Sequence, residues 1–206
     1  MAYVELQVTS HFSFLRGASS PTELFSAAAL LGYTALGITD LGSVAGLVRA
    51  WDAQNGTGVR LICGTRLVLD DGRGLLLYPT DRAAWSRLTR LLTIGKASAG
   101  KGGCTLGWTD VAAWSEGLIA ILLPDMPGEE TASHLADLHE VFGRRAYCAL
   151  TFRRRPDDRL RLHQLAAQAA AAGVRAVATG DVLYHAAEAR LSVSYTHLTL
   201  PTICSV

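Results

Sequence analysis

The sequence predicts an α/β fold of about seven strand and helix units. From Tyr3 to about Leu191, short aliphatic or β-branched runs alternate with amphipathic stretches of helical length, a rhythm typical of parallel strands joined by helices. The 206 residues, of which 50% are hydrophobic, suffice to bury one sizeable core. Polar residues just after the predicted strand ends favour a closed barrel with its site at the carboxyl ends of the strands. An open doubly wound sheet is the alternative.

The clearest local signal is the start of the first helix. A first strand is predicted from Val4 to Thr9, and Ser20 can then cap a helix that has Pro21 at its first position. Glu23 is placed to close a capping box with Ser20. Gly32 can end this helix in a left-handed conformation.

Two further segments complete the first half of the chain. The second strand is predicted from Ala35 to Thr39 and ends at Asp40, and Ser43 can cap a helix that runs towards Gln54. A third and a fourth strand follow at Arg60 to Leu69 and Leu75 to Tyr78, joined by a hairpin turn at Asp70-Asp71-Gly72.

The second half repeats the same alternation. Asp81 can cap a third helix, and the Gly-rich segment from Ala97 to Gly107 is predicted to be a surface loop. Later strands are predicted at Leu118 to Leu123, Ala146 to Phe152 and Ala176 to Thr179, with helices near Glu130 to Phe142 and Asp158 to Ala172.

Composition excludes several broad classes of function. A net charge of +1 carries no global signature of nucleic-acid binding, so any DNA contact must be local. The four cysteines, Cys63, Cys104, Cys148 and Cys204, lie far apart and are interpreted as buried or incidental thiols. No basic leader and no apolar run of roughly 18 residues is present, so we expect a cytoplasmic protein without a membrane partner.

Five segments, in this order and spacing, resemble the motifs of the polymerase and histidinol phosphatase (PHP) domain. They are Phe12 to Ala18, Ile38 to Asp40, Leu61 to Gly64, Leu76 to Pro79 and Thr179 to His185. The string Phe-Ser-Phe-Leu-Arg-Gly-Ala is most similar to the form that opens error-prone bacterial DNA polymerases of the C family. The resemblance implies a distorted seven-stranded (β/α) barrel, and it decides between the barrel and the open sheet.

The resemblance also implies what the parent protein does. It would be a DNA-directed DNA polymerase that extends DNA from deoxynucleoside triphosphates during damage-induced mutagenesis and translesion synthesis. This chain would be a fragment without the polymerase core, where Mg²⁺ is expected, and would be inactive alone. Its expected partners are that core, in the same parent chain, and DNA through the parent.

An active PHP site, by the same resemblance, binds metal through histidines and carboxylates, and most of these are replaced here. The first-strand His-x-His becomes Gln7 and Thr9, and only two aspartates persist. The positions of this degenerate site are Gln7, Thr9, Arg16, Asp40, Arg66, Arg153 and Asp181, with His185 as a group that orients Asp181 or a nearby loop. Two carboxylates supported by Gln and Thr make a poor transition-metal site, so no catalytic residue and no metal ligand is assigned.

The arginines at these positions suggest a replacement for the metal. We expect Arg16, Arg66 and Arg153 to project towards Asp40 and Asp181 and to balance their charge, which would leave a locked, metal-free structural module. The rival interpretation is that surplus positive charge binds a phosphate or a DNA backbone segment. A residual metal-dependent phosphoesterase or 3′-5′ exonuclease is the alternative function, and a weak Mg²⁺ site held through water also stays open.

Two other segments have plainer interpretations. The run Arg153-Arg154-Arg155 before Pro156-Asp157-Asp158 is typical of a solvated helix start. The last fifteen residues, Ser192 to Val206, contain no Ala, Gly, Asp, Glu, Lys or Arg, unlike the chain before them. We therefore predict a PHP domain at residues 1–191 and a non-native tail, such as a junction or adapter artefact, at residues 192–206.

Overall fold

A computed structural model describes residues 3–100 and 102–189, so the predicted tail lies outside the described residues. The chain divides into two compact units. Unit 1 comprises residues 1–63 and 181–206, and unit 2 comprises residues 64–180.

The described residues form seven strands and six α-helices. The strands are β1 (Glu5–Val8), β2 (Ala35–Leu41), β3 (Arg60–Val68), β4 (Gly74–Pro79), β5 (Leu118–Leu122), β6 (Ala146–Thr151) and β7 (Arg175–Thr179). The helices are α1 (Pro21–Leu30), α2 (Leu47–Thr57), α3 (Arg82–Ser98), α4 (Trp108–Ala113), α5 (Glu129–Phe142) and α6 (Asp158–Ala171). Short 3-10 turns lie at Gly143–Arg145 and Ala187–Ala189.

The strands follow chain order, β1 to β7, but they are not all parallel. The pairs β1/β2, β5/β6 and β6/β7 are parallel, as expected. Strand β4 runs antiparallel to both β3 and β5. The predicted hairpin turn is the cause, since the few residues between β3 and β4 are too short for a parallel crossover.

In unit 1, the predicted start of α1 is confirmed and the predicted start of α2 is wrong. The Ser20 hydroxyl accepts the Glu23 N–H at 3.3 Å, and the Glu23 carboxylate accepts the Ser20 N–H at 2.8 Å. Gly32, just past α1, has the expected left-handed φ of +74°. For α2 the cap is Gly46. The Ser43 hydroxyl instead accepts the N–H of Ala45, a local turn that competes with a helix start.

Unit 2 packs helices on strands whose residues are mostly apolar. Leu76, Leu88 and Leu135, from β4, α3 and α5, are fully buried. Asp81 caps α3 as predicted, by accepting the N–H of Ala84 at 2.7 Å. Helix α3 extends to Ser98, one residue past the predicted start of the Gly-rich loop, and the short α4 was not predicted at all.

The described cysteines are thiols, as the sequence indicated. Cys63, Cys104 and Cys148 are free, and burial raises the pKa of the Cys148 thiol to about 11. Cys204 lies outside the described residues. Among the helices that the structure describes, none is long and apolar enough to cross a membrane.

Candidate functional site

The degenerate site begins on β1, in unit 1. Gln7 and Thr9 are two residues apart, so their side chains leave the strand on the same face. Both are buried, at 2% and 0% exposure. The Gln7 side-chain amide donates to Oδ1 of Asp181 at 2.8 Å, which links the start of the chain to the segment after β7.

Asp181 is also paired with Arg16. One terminal guanidinium nitrogen of Arg16 donates to both carboxylate oxygens, at 3.0 and 3.2 Å. The backbone of Asp181 is left-handed, with φ of +49°, a conformation that Asp tolerates better than most side chains. The next residue, Val182, is fixed on β1: its N–H donates to the Gln7 carbonyl at 2.8 Å, and its carbonyl accepts the Thr9 N–H at 2.9 Å.

Asp40 is held by two serines that sequence analysis did not assign to it. The carboxylate is 1% exposed. Its Oδ1 accepts the N–H of Ser10 at 2.9 Å and the hydroxyl of Ser13 at 2.8 Å, and the Ser10 hydroxyl donates at 2.9 Å to both oxygens. Ser13 in turn accepts the N–H of Leu41 at 2.9 Å. Asp40 therefore folds the loop after β1 against the end of β2.

Two glycines let the backbone come close to this network. A Cβ on Gly17 would lie 2.0 Å from the Ser10 carbonyl oxygen. A Cβ on Gly46 would lie 2.3 Å from Oδ2 of Asp40 and 2.9 Å from the Ser10 hydroxyl. Both contacts are far inside van der Waals distance, so the loop geometry depends on glycine at these positions.

His185 contacts a loop, which is one of its two expected roles. Its backbone N–H donates to the Ser19 hydroxyl at 2.9 Å, and Nδ1 of its ring lies 2.8 Å from the same oxygen. In the neutral imidazole with its proton on Nε2, the Ser19 hydroxyl donates to Nδ1. His185 thus fixes the residue that precedes the α1 cap.

The remaining predicted arginines lie in unit 2. Arg66 is a half-buried residue of β3. Arg153 follows β6, and its guanidinium pairs with Asp125. Asp125, three residues past β5, belongs to the same unit as Arg153. The expected pairing of Arg153 with Asp40 or Asp181 stays a prediction.

The side chains of this site do not fit as ligands of a transition-metal cluster. The Gln7 amide N–H and the Arg16 guanidinium, which bind the Asp181 carboxylate, are hydrogen-bond donors and cannot ligate a cation. Across the part of the chain that the structure describes, no three His, Cys, Asp or Glu side chains come together as a metal-binding group. Gln7 Oε1, Thr9 Oγ1 and Arg16 Nε are buried without a hydrogen-bond partner among the described residues, and such atoms commonly bind ordered water.

Comparison with protein families identifies the family of this domain. Residues 5–149 match the PHP domain family, so the chain belongs to this family. The α/β fold of PHP type, with seven strands, is thereby confirmed.

Two similar relatives are much longer than this chain. The chain is 55% identical over 185 residues to error-prone DNA polymerase 3 of Agrobacterium fabrum, and 55% identical over 185 residues to error-prone DNA polymerase 2 of Rhizobium meliloti. Each alignment covers 90% of this chain and 17% of the relative. The chain therefore spans about a sixth of the length of these curated relatives.

Solved structures share the fold at low sequence identity. An amidohydrolase from Chromobacterium violaceum superimposes with a TM-score of 0.63 and 18% identity, covering 89% of this chain and 88% of that one. A lesion-specific endonuclease from Pyrococcus furiosus gives a TM-score of 0.60 and 12% identity, covering 88% of this chain and 48% of that one. At these identities the likeness concerns the fold alone.

Proposed function

We propose that the chain is the N-terminal PHP part of an error-prone DNA polymerase of the C family. The parent would be a DNA-directed DNA polymerase acting in the cytoplasm in damage-induced mutagenesis and translesion synthesis. The support is the 55% identity to proteins of that name along 90% of the chain. Nucleotidyl transfer, and the Mg²⁺ it needs, belong to a polymerase core outside this sequence, so the chain alone does not polymerise.

Within the parent, the PHP domain would be a metal-free structural module. The observation that carries this proposal is the pairing of Asp181 with Arg16 and Gln7. A guanidinium keeps its charge at any working pH and can neutralise a carboxylate without an ion. Here one guanidinium nitrogen reaches both oxygens of the Asp181 carboxylate.

The module would act by packing against the polymerase core of the same chain. The loop after β1 and the segment after β7 are fixed by Asp40, Asp181 and His185, all of which serve local structure in unit 1. Side chains used in this way fix the conformation of surface loops. A fixed surface loses little conformational entropy when another domain packs against it. Contact with DNA would come through the parent.

Metal content and nuclease activity test the metal-free role. The purified 206-residue chain would be analysed by mass spectrometry for bound metal and assayed on 3′-labelled DNA with added Mn²⁺ or Zn²⁺. We expect substoichiometric metal and no cleavage. Stoichiometric metal with phosphoesterase or 3′-5′ exonuclease activity would show that the enzyme alternative is right. Asp181→Asn is the control, since cleavage that survives it points to a contaminant.

A further inference from the structure

The loop between β6 and α6, residues 152–157, is held in one shape by a buried carboxylate. Oδ2 of Asp158 accepts the backbone N–H of Arg153 at 2.7 Å and that of Arg155 at 3.0 Å. Asp158 is 1% exposed. The loop backbone is therefore bound to the first residue of α6.

A buried arginine fixes that carboxylate in turn. Nε and one terminal nitrogen of Arg161 lie 3.0 and 2.9 Å from Oδ1 of Asp158, and both side chains are 1% exposed. The other donors of Arg161 reach the carbonyls of Asp125 at 3.0 Å and Thr151 at 2.5 Å. The ends of β5 and β6 and the start of α6 are thus joined at one side chain, which leaves the loop little freedom to move.

The three arginines of this rigid loop are not equivalent. Arg153 and Arg155 both pair with the carboxylate of Asp125. Arg154 is exposed and makes no ion pair with any described residue. Its φ is +58°, in the left-handed region that non-glycine residues occupy only when the surroundings impose it.

An exposed aromatic ring, Phe152, lies two residues before Arg154. Phe152 is 59% exposed, although it directly follows a buried strand residue. Arg159, the second residue of α6, is a further exposed cation. The loop and the start of α6 therefore carry Arg153, Arg154, Arg155 and Arg159, with Asp125 and Asp157 as the exposed acids. An exposed ring and an excess of guanidinium groups, on a loop whose backbone is bound by Asp158, fit a base and a phosphate of single-stranded nucleic acid.

We propose that the 152–157 loop is a contact site for single-stranded nucleic acid. Phe152 stacks on a base, and Arg154 binds a backbone phosphate. The strained backbone at Arg154 is then a feature kept for binding, because stability alone would favour glycine there. The site is independent of Asp181 and Arg16, so the metal-free role proposed above can fail without affecting it.

The test separates binding from stability at one position. Fluorescence anisotropy would follow the 206-residue chain binding a labelled single-stranded oligothymidylate at low salt, beside a thermal melt of each variant. Arg154→Gly should raise the melting temperature, because it relieves the left-handed strain, while it weakens binding about five-fold or more. Phe152→Ala should weaken binding by a similar factor with little change in stability.

Matched controls decide the outcome. Arg49→Ala removes the same charge from an exposed position on α2 and should leave binding within about two-fold of wild type. The slope of log binding constant against log salt should fall by about 0.7 for Arg154→Gly and for no other variant tested. Equal binding by Arg154→Gly and wild type would overturn the proposal. Failure of the wild-type chain to bind the oligonucleotide would also overturn the proposal. The exposed loop would then be a candidate contact for a protein instead.

Discussion

At the scale of single residues, the site is built from side chains that stabilise loops. Asp40 is nearly fully buried, and its carboxylate is surrounded by N–H and O–H donors from Ser10 and Ser13. A buried carboxylate is tolerated only where such donors replace water. The site also depends on the close approach of the backbone at Gly46, where a Cβ would lie 2.3 Å from Oδ2 of Asp40.

Replacing Gly46 with alanine tests this dependence. Gly46 has an ordinary helical φ of −72°, so alanine meets no backbone strain there, and the main obstacle is the Asp40 oxygen 2.3 Å from the new Cβ. We expect Gly46→Ala to destabilise the protein by about 1–3 kcal/mol, measured by urea unfolding.

The same helix supplies the control. Gly56 lies inside α2, is exposed and has open space around a built Cβ. Gly56→Ala should stabilise the protein by about 0.5–1 kcal/mol, because alanine loses less backbone entropy in a helix. If both substitutions changed stability alike, the close contact with Asp40 would not be what limits position 46.

At the scale of elements, the Asp158 carboxylate at the start of α6 stabilises the fold, and this stabilisation depends on pH. Burial opposes ionisation of Asp158, but the N–H of Arg155, the guanidinium of Arg161 and the N–H of Arg153 outweigh it and lower the pKa of this carboxyl below its ordinary value. A depressed folded-state pKa means that the charged form stabilises the fold above the unfolded value of about 3.9. That contribution is lost as pH falls through the folded value.

Asp158→Asn should remove this stabilisation. At neutral pH the variant leaves the buried Arg161 without a counter-charge, and we expect its melting temperature to fall by several degrees. The difference from wild type should begin to shrink as pH falls below the unfolded value of about 3.9, where the unfolded wild-type carboxyl takes up its proton. It should vanish only once pH has fallen through the lower folded-state pKa, where the folded carboxyl is protonated as well. Asp157→Asn is the control: Asp157 is exposed and makes no side-chain cap to α6. A deficit that stayed constant down to pH 2 would contradict the assignment.

Sequence reasoning succeeded where the signal is local. The capping box of α1 and the hairpin turn between β3 and β4 involve neighbours in the chain, and both are present. Helix α2 is capped at Gly46 instead of at the predicted Ser43, whose hydroxyl accepts the N–H of Ala45 in a local turn. Helix α4 has six residues and a glycine cap, too little pattern to recognise.

The site was less predictable than the fold because its contacts cross long stretches of chain. Gln7 and Asp181 were singled out as site residues by their motifs, but 174 positions separate them, and no local pattern indicates a hydrogen bond. The hydrogen bond from Ser13 to Asp40 spans 27 positions, and no local pattern indicates it either. For Arg153, a nearby aspartate at the end of β5 competes with the motif, and only the packed structure shows which carboxylate it meets.

At the scale of the whole molecule, the chain joins a conventional α/β domain to an atypical last segment. The relatives align over 185 to 190 residues of its 206, and the PHP motifs end at His185. In the proposed parent, a linker and the polymerase core would follow such a domain. Residues 192–206 have a composition unlike the chain before them, with no Asp, Glu, Lys or Arg and no Ala or Gly.

Removal of this segment is the test of the domain boundary. If residues 1–191 form the PHP domain and residues 192–206 are non-native, deletion of the latter removes no packing, and the melting temperature of the 1–191 chain should match that of the full 206 residues within about 1 °C. A deletion that also removes residues 181–189 is the contrasting control, because Val182 and His185 bond β1 and Ser19. That longer deletion should unfold unit 1 or lower its melting temperature by many degrees. A loss of stability on removing residues 192–206 alone would show that the tail belongs to the folded protein.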